Sequence, residues 1–414
     1  MEMARMKKSL VVLFLCAIVG AIACSGRMTP TAAASDSAST ASTSSAIQAS
    51  GPYAKAPALG IHIGSLPHGQ YDAITDVPGV LVGQVTHIEG SGKLVVGVGP
   101  VRTGITAVIP RTDIWHHHLW AAAWPLNGNG EMTGSLWVNE SGWLETPIAL
   151  TDTLSVGRVD DGVISWLMKQ SPQIGITEDV PLPVVAEVND DFLNDQPGRH
   201  NTPADAGAAL DAARGGPVEQ GDVGAGTGAV AYAFHGGIGT ASRTLAASDG
   251  GYTVGALVNV NTFGRREDLT IDGVPVGDEI KDLQPQYPHQ NDGSIIMVLA
   301  TNAPLNHQQL IDLCERAALG YARTGGSSRE GSGDLIIAFS TAQVVPYDTN
   351  SITFQTTVMD RAYINPVFWA AIEATEEAII NALLAAHTMT GRDGDTVFAL
   401  PHDRLMQIMR RYGR

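Results

Sequence analysis

Asp292, Gly293 and Ser294 stand directly before the apolar, β-branched run Ile295-Ile296-Met297-Val298-Leu299-Ala300-Thr301. An Asp-Gly pair favours a turn and the run that follows favours a strand, so the spacing predicts a serine on the first position of a strand. Glycine reaches strained backbone conformations at little steric cost, and the Ser294 hydroxyl could therefore attack its own preceding carbonyl, pass through an ester and be released by water. The product would be a serine with a free α-amine. Such an amine titrates near pH 7.7–8.0 when unperturbed, so at neutral pH a useful fraction is an uncharged base beside the hydroxyl it would activate. The same ten residues also fit an ordinary Gly-Ser turn leading into a buried strand, and what separates the two readings lies on either side of them.

Other chemistries find less support. No serine sits in G-x-S-x-G, which argues against a nucleophile elbow, and no H-E-x-x-H, C-x-x-C or Walker A sequence occurs. His116-His117-His118 offers metal ligands, but adjacent residues of an extended segment point to opposite faces and no carboxylate motif completes a site, so a surface or loop feature is expected. Gly221 to Gly228 has the look of a phosphate-binding loop without the spacing of a dinucleotide fingerprint; close backbone packing is the simpler reading. Of three cysteines, Cys16 and Cys24 lie near the start and Cys314 falls in a helical apolar stripe with Leu310, Ala317, Ala318 and Tyr321, which excludes a disulfide framework and marks Cys314 as a core residue.

Composition narrows the partners. Lys and Arg total 25 against 42 Asp and Glu, a net charge of −17, which disfavours nucleic acid and anionic lipid surfaces. Small molecules and other proteins remain. Arg5, Lys7 and Lys8 precede the apolar run Leu10 to Ala23, too short for an ordinary membrane span and of the form of an export signal. Ala21-Ile22-Ala23 satisfies a signal-peptidase rule, while Ala21-Ile22-Ala23-Cys24 also fits a loose lipoprotein box with Cys24 as the lipidated residue. The expected organisation is an export signal over 1–24, a flexible Ser/Thr/Ala-rich tether over 25–52 and one catalytic body over 53–414. A periplasmic or cell-envelope location follows, with membrane contact only through the lipid.

The elements that must position Ser294 begin with short β-like runs at 79–85, 94–98 and 104–110. Helices are expected over 160–169 and over Thr202 to Arg214, with Thr202 as N-cap and Pro203 in the first turn. After Ser294 the order is strand, helix (Asn306 to Thr324), strand (Asp334 to Ser340), then a long helix over Asn365 to His387 and a last turn from Pro401. Mixed strands with segregated long helices predict an α+β fold in which helices cover paired sheets.

The ordered set of short motifs resembles the self-cleaving L-aminopeptidase/D-amidase-esterase family, which includes the β-aminopeptidases. The resemblance is carried by Asn127-Gly128-Asn129-Gly130-Glu131-Met132-Thr133-Gly134, Glu140-Ser141-Gly142, Pro147 to Thr153, Gly221 to Gly228, Gly236 to Thr240 and Gly273-Val274-Pro275-Val276-Gly277. It continues through Asp292 to Ile296, Ala322 to Gly326, Ser332-Gly333-Asp334, Ala338 to Thr341 and Met389 to Gly394, in family order over roughly residues 55–402. It implies a four-layer αββα sandwich like that of the N-terminal-nucleophile hydrolases, with different strand connectivity. It also implies cleavage between Gly293 and Ser294 into an α chain, 53–293, and a β chain, 294–414, that stay together, and assembly into homo-oligomers of such pairs. Hydrolysis after the N-terminal residue of short peptides, amides or esters with a free amine, without metal or organic cofactor, is the implied activity. Carried over by position, Ser294 is the nucleophile, Ser332 and Asp334 form its relay and Asn261 stabilises the oxyanion. Glu187 receives the substrate's amino group. Here the chain departs from its relatives: Asn189 stands where an aromatic is common, and Phe192 where Tyr is common, so the substrate-binding contacts at Asn189 and Phe192 differ from the family's.

Two further readings stay open: aminoacyl transfer from the same acyl-enzyme, and an uncleaved envelope lipoprotein that binds short peptides. The presence of Ser294, Ser332 and Asp334 together argues for catalysis.

Overall fold

All eight side chains of the strand Ser294–Thr301 are buried, so this strand is packed on both faces. The computed structural model that shows this describes residues 51–287, 292–347 and 351–414. The export segment, most of the tether and Cys24 lie outside the described residues.

Strands β1 (Leu81–Glu89), β2 (Val101–Ile109), β3 (His117–Gly128), β4 (Trp143–Leu144), β5 (Ile148–Asp152) and β6 (Val184–Val188) come first. A short hairpin of β7 (Val230–Ala231) and β8 (Phe234–His235) precedes β9 (Gly237–Thr244), β10 (Thr253–Asn261), β11 (Ser294–Thr301) and β12 (Gly333–Pro346). One sheet has the order β1-β2-β5-β6 and the other β4-β3-β12-β11-β10-β9. Pairing is antiparallel except for β5 with β6 and β11 with β12. The helices are α1 (Ser135–Ser141), α2 (Val156–Gln170), α3 (Pro203–Asp211), α4 (Val276–Glu279), α5 (His307–Arg323), α6 (Asn365–Ala385) and α7 (His402–Arg411).

The alternation of side chains along β11 shows how these pieces stack. Ile295, Met297 and Leu299 join one core with residues of α5 and α6. Ile296, Val298 and Ala300 join a second core with Val108, Leu150 and Ala186 of the other sheet. On that sheet's far side, Ile105, Ala149 and Val185 pack against Val159, Val163 and Leu210 of α2 and α3. Three apolar layers between four layers of secondary structure give the αββα sandwich that the family resemblance implied. Each fully buried Ile, Val or Met contributes about 1.5–3 kcal/mol relative to exposure, so β11 is held fast and its first residue, Ser294, has a fixed position.

Several local expectations hold. Thr202 caps α3 in a capping box with Asp205 and Pro203 in the first turn, and the helix expected from Asn306 is α5, where the structure adds a capping box of Asn306 with Gln309. Cys314 is buried in α5. Two expectations need correction. Residues 94–98 form no strand: Val95 and Val98 close a local turn, and Val95, Val96 and Val98 are exposed because no neighbouring strand reaches them. Of the histidine run, His116 ends a part-exposed turn while His117 and His118 open a twelve-residue strand, β3, rather than a loop. His116 and His117 both reach Asp113, while His118 is buried, donates to the Trp115 carbonyl at 2.8 Å and is pushed down to about 4 by burial.

The candidate active site

Ser294 opens β11 beside Asn261, its partner across the antiparallel ladder, and beside Gly333, its partner on β12. Gly293 precedes it at φ +73°, and a Cβ there would stand 2.1 Å from the carbonyl carbon of Thr262 and 2.4 Å from the Asn261 oxygen, so only glycine fits. In this geometry the Ser294 hydroxyl donates to the Gly293 carbonyl at 2.8 Å and accepts from the Gly333 N–H at 3.2 Å. The hydroxyl thus lies beside the Gly293 carbonyl, in contact with its oxygen, and carries a backbone donor on its own oxygen.

Ser332 and Asp334 form a pair of their own, the Ser332 hydroxyl donating to Asp334 Oδ1 at 2.5 Å. Strand register sets Asp334 opposite Ile295, on the helix-facing side of the sheet, whereas Ser294 shares the inter-sheet side with Ile296. The pair therefore flanks the start of β11 from the far face, and Gly333 is the residue of this stretch bonded to the Ser294 hydroxyl. Burial raises the Asp334 carboxyl above its ordinary range, opposed by the Ser328 and Ser332 hydroxyls.

Asn261 is fully buried. Its Oδ1 accepts from the Val230 N–H at 2.7 Å and its Nδ2 donates to the Asn189 carbonyl at 2.7 Å, which locks the amide orientation next to Ser294. Asn189 thereby acquires a backbone role that its side chain does not reveal; that side chain accepts from the Asp191 N–H at 2.9 Å in a local turn.

A cavity of about 530 Å³ joins these parts, with Ser294, Gly293, Glu187, Asn189 and Phe263 in its wall. Glu187, at the end of β6, is 4% exposed, so its carboxylate is nearly removed from water. Its Oε1 accepts from the Glu131 N–H at 3.0 Å and its Oε2 from the Thr153 hydroxyl. Burial raises its titration above the usual range, while Thr153 and the Glu131 amide pull it back and the nearby Asp152 and Glu131 carboxylates push it up. Phe192 stands behind this wall, its ring 4.9 Å from Tyr287, which in turn lies 5.6 Å from Phe263. Of the residues named from the sequence, Ser294, Glu187 and Asn189 meet in the cavity, Asn261 is packed beside it, and Ser332, Asp334 and Phe192 support it from behind.

Sequence reasoning did not single out Thr153, the Glu131 amide, Phe263 or the Gly333 amide as site groups. The first two lie in family motifs, Pro147 to Thr153 and Asn127 to Gly134, and only the fold makes these motifs converge on Glu187. The Gly221 to Gly228 loop is packing, as expected: a Cβ on Gly226 would stand 2.4 Å from the Ile238 nitrogen.

A family model described as peptidase family S58 matches residues 72–397, more than half of the chain. The chain belongs to peptidase family S58. Among curated relatives, beta-peptidyl aminopeptidase BapA of Sphingosinicella microcystinivorans is 42% identical over 383 residues, covering 89% of this chain and 94% of the relative. Two solved structures extend the family match to three dimensions. The PH0078 protein of Pyrococcus horikoshii OT3 superposes with a TM-score of 0.82 at 47% identity, covering 87% of this chain and 99% of its own. The L-aminopeptidase D-Ala-esterase/amidase of Ochrobactrum anthropi, described as a variant of the N-terminal-nucleophile hydrolase fold, superposes with a TM-score of 0.81 at 40% identity and the same coverages. This S58 peptidase therefore shares its relatives' fold over nearly all of their length.

Proposed function

We propose that this S58 peptidase is an exported aminopeptidase and amidase-esterase that matures by cleaving Gly293–Ser294 and then acylates Ser294. The observation that carries the reading is the 2.8 Å contact of the Ser294 hydroxyl with the Gly293 carbonyl oxygen, made in the wall of a cavity that also holds the buried Glu187 carboxylate.

In the mature enzyme the freed α-amine of Ser294 takes the hydroxyl proton as Oγ attacks the substrate carbonyl. The Ser332–Asp334 pair holds the resulting ammonium, and the Asn261 amide, already oriented by Val230 and Asn189, donates to the oxyanion without changing its own charge. The ammonium then protonates the leaving amine, or an alcohol from an ester, and water releases the acid. Glu187 binds the substrate's amino group, an ionic contact that selects free N-termini. Export, and lipidation at Cys24, rest on the N-terminal sequence; the homo-oligomer and the 294–414 β chain rest on the family resemblance.

Intact mass under denaturing conditions tests the reading. Two fragments, the smaller beginning at Ser294, are expected from the natural protein and one uncut chain from Ser294→Ala, which should also fail to hydrolyse aminoacyl p-nitroanilides. A single uncut mass from both proteins would overturn the proposal.

A further inference from the structure

A second cavity of about 540 Å³ opens at the other end of the four-stranded sheet. Register locates it: Leu81 at the start of β1 pairs with Ile109 at the end of β2, and Val108 pairs with Ile148 at the start of β5, whereas Glu187 sits near the end of β6, which runs parallel to β5. The floor is apolar and aromatic, with Ile114, Leu210 and the rings of Trp115 and Trp166. Both indole N–H groups are already used, Trp115 on Glu178 at 2.9 Å and Trp166 on Asp211 at 2.7 Å, so these rings offer surface rather than donors.

The charges in this cavity are not balanced in the way a structural site would be. Arg111 lines it with a buried Nε that has no hydrogen-bond partner, and among the described residues its guanidinium joins no ion pair. Leaving such a donor unmade costs about 1–3 kcal/mol, a cost that an acceptor on a ligand would remove. Asp113, the acid nearest in sequence, is taken by His116 at 2.7 Å and His117 at 3.1 Å. Asp211, the last residue of α3, lines the cavity and gives one oxygen to Trp166. Gln170, the last residue of α2, lies in the same wall, so the carbonyl ends of two helices bring partial negative charge to one side.

A guanidinium with an unpartnered donor, a carboxylate beside the carbonyl ends of two helices, and an apolar floor, all in one cavity, match a zwitterion with an apolar side chain. We propose that this cavity binds a free amino acid: its carboxylate on Arg111, its ammonium on Asp211 and the helix ends, its side chain against Trp115 and Trp166. The site is remote from Ser294, and the binding stands whether or not the serine mechanism does. If the chain releases N-terminal residues, the ligand is of the same chemical class as its product.

The test uses L-leucine as probe, followed by tryptophan fluorescence and calorimetry on the full chain, with 3-methylbutylamine as the analogue that lacks the carboxylate. Leucine should bind at least about tenfold more tightly than the amine, as one charge-assisted contact predicts. Arg111→Leu should erase that difference and Asp211→Asn should weaken leucine by a smaller factor. Glu187→Gln should leave leucine binding within about twofold, which separates this cavity from the one at Ser294. Were Arg111→Leu not to fold, the leucine-to-amine ratio on the natural protein reads the same contact. No saturable signal up to about 10 mM leucine, equal binding of the amine, or loss of binding in Glu187→Gln overturns the proposal.

Discussion

Two groups of buried carboxylates sit in this molecule, and the chain treats them oppositely. Beneath α6, Asp72, Glu373 and Glu377 meet cations at every turn. Arg243 reaches Glu377 at 2.6 Å and Glu373 at 3.2 Å, Lys55 stands 3.6 Å from Asp72, and His68 donates to Glu377 at 2.9 Å. The donor atoms of His68, Asp72 and Glu377 lie within 4.8 Å of one another, a spacing a metal could bridge, but Arg243 and Lys55 already supply the charge. At the cavity beside Ser294, Glu187 in the wall and Asp152 and Asp190 near it find only hydroxyls, amides and backbone N–H groups, and among the described residues no Lys, Arg or His pairs with them. The first cluster is closed and structural. The second lacks positive charge, and a substrate ammonium is what would complete it.

That contrast can be broken from its closed side with the largest effect. Arg243→Met removes the guanidinium that Glu373 and Glu377 share, leaving Glu377 to His68 and Glu373 to the Ser65 and Leu66 donors, and is expected to cost about 3–5 kcal/mol of stability in denaturant unfolding. A loss under about 1 kcal/mol would mean that the network is not what ties α6 to β9. On the open side the effect should fall on activity instead. Glu187→Gln should lower kcat/KM for substrates with a free amine by about 1.5–3 kcal/mol in transition-state binding, with stability little changed. An unaltered kcat/KM would remove Glu187 from the amine site.

Acidity sharpens the same point. Glu187 must be ionised to hold an ammonium, and its titration is raised, so kcat/KM of the natural protein should fall as pH drops through a value above the ordinary 4.5 for Glu. Glu187→Gln should lack that part of the fall. The smallest effect concerns Asp190. Burial, with Asp152 nearby, raises it well above 3.8, so it stays protonated in the fold at a pH where the unfolded chain has released that proton. Its contribution to stability is thus full below about pH 3.8 and is lost as pH rises towards the folded value. Asn mimics the protonated form, keeping an oxygen for Asn194, so Asp190→Asn should match the natural protein at pH 4 and exceed it by about 1 kcal/mol at pH 7 in urea unfolding. A variant less stable at pH 7 than at pH 4, relative to the natural protein, would show that Asp190 is ionised in the fold.

Much of the site is legible in the amino-acid sequence. The strand after Ser294, the cap at Thr202, the helix from Asn306 and the long helix from Asn365 follow from local patterns of apolar and capping residues, which act over a few positions. The family resemblance then implies the roles of Ser294, Ser332, Asp334, Asn261 and Glu187. Residues 94–98 mislead because a β-branched run carries no information about whether a neighbour will pair with it. The resemblance also puts Phe192 at the substrate, yet its ring turns to Tyr287, since aromatic packing depends on what arrives from distant parts of the chain.

By itself the sequence determined the glycine before a serine, the strand that holds that serine, and the helices that cover the sheets. These are short-range properties, set by backbone freedom, side-chain period and capping. Only the tertiary structure decided that Glu131 and Thr153 converge on Glu187, that Asn189 steers Asn261 through its carbonyl, and that Ser332–Asp334 lies on the face opposite the Ser294 side chain. It alone decided which buried carboxylates were given cations. Each of those outcomes depends on strand order and register between segments tens to hundreds of residues apart, and the energy that fixes them is the burial of three apolar layers, which no local stretch of sequence contains.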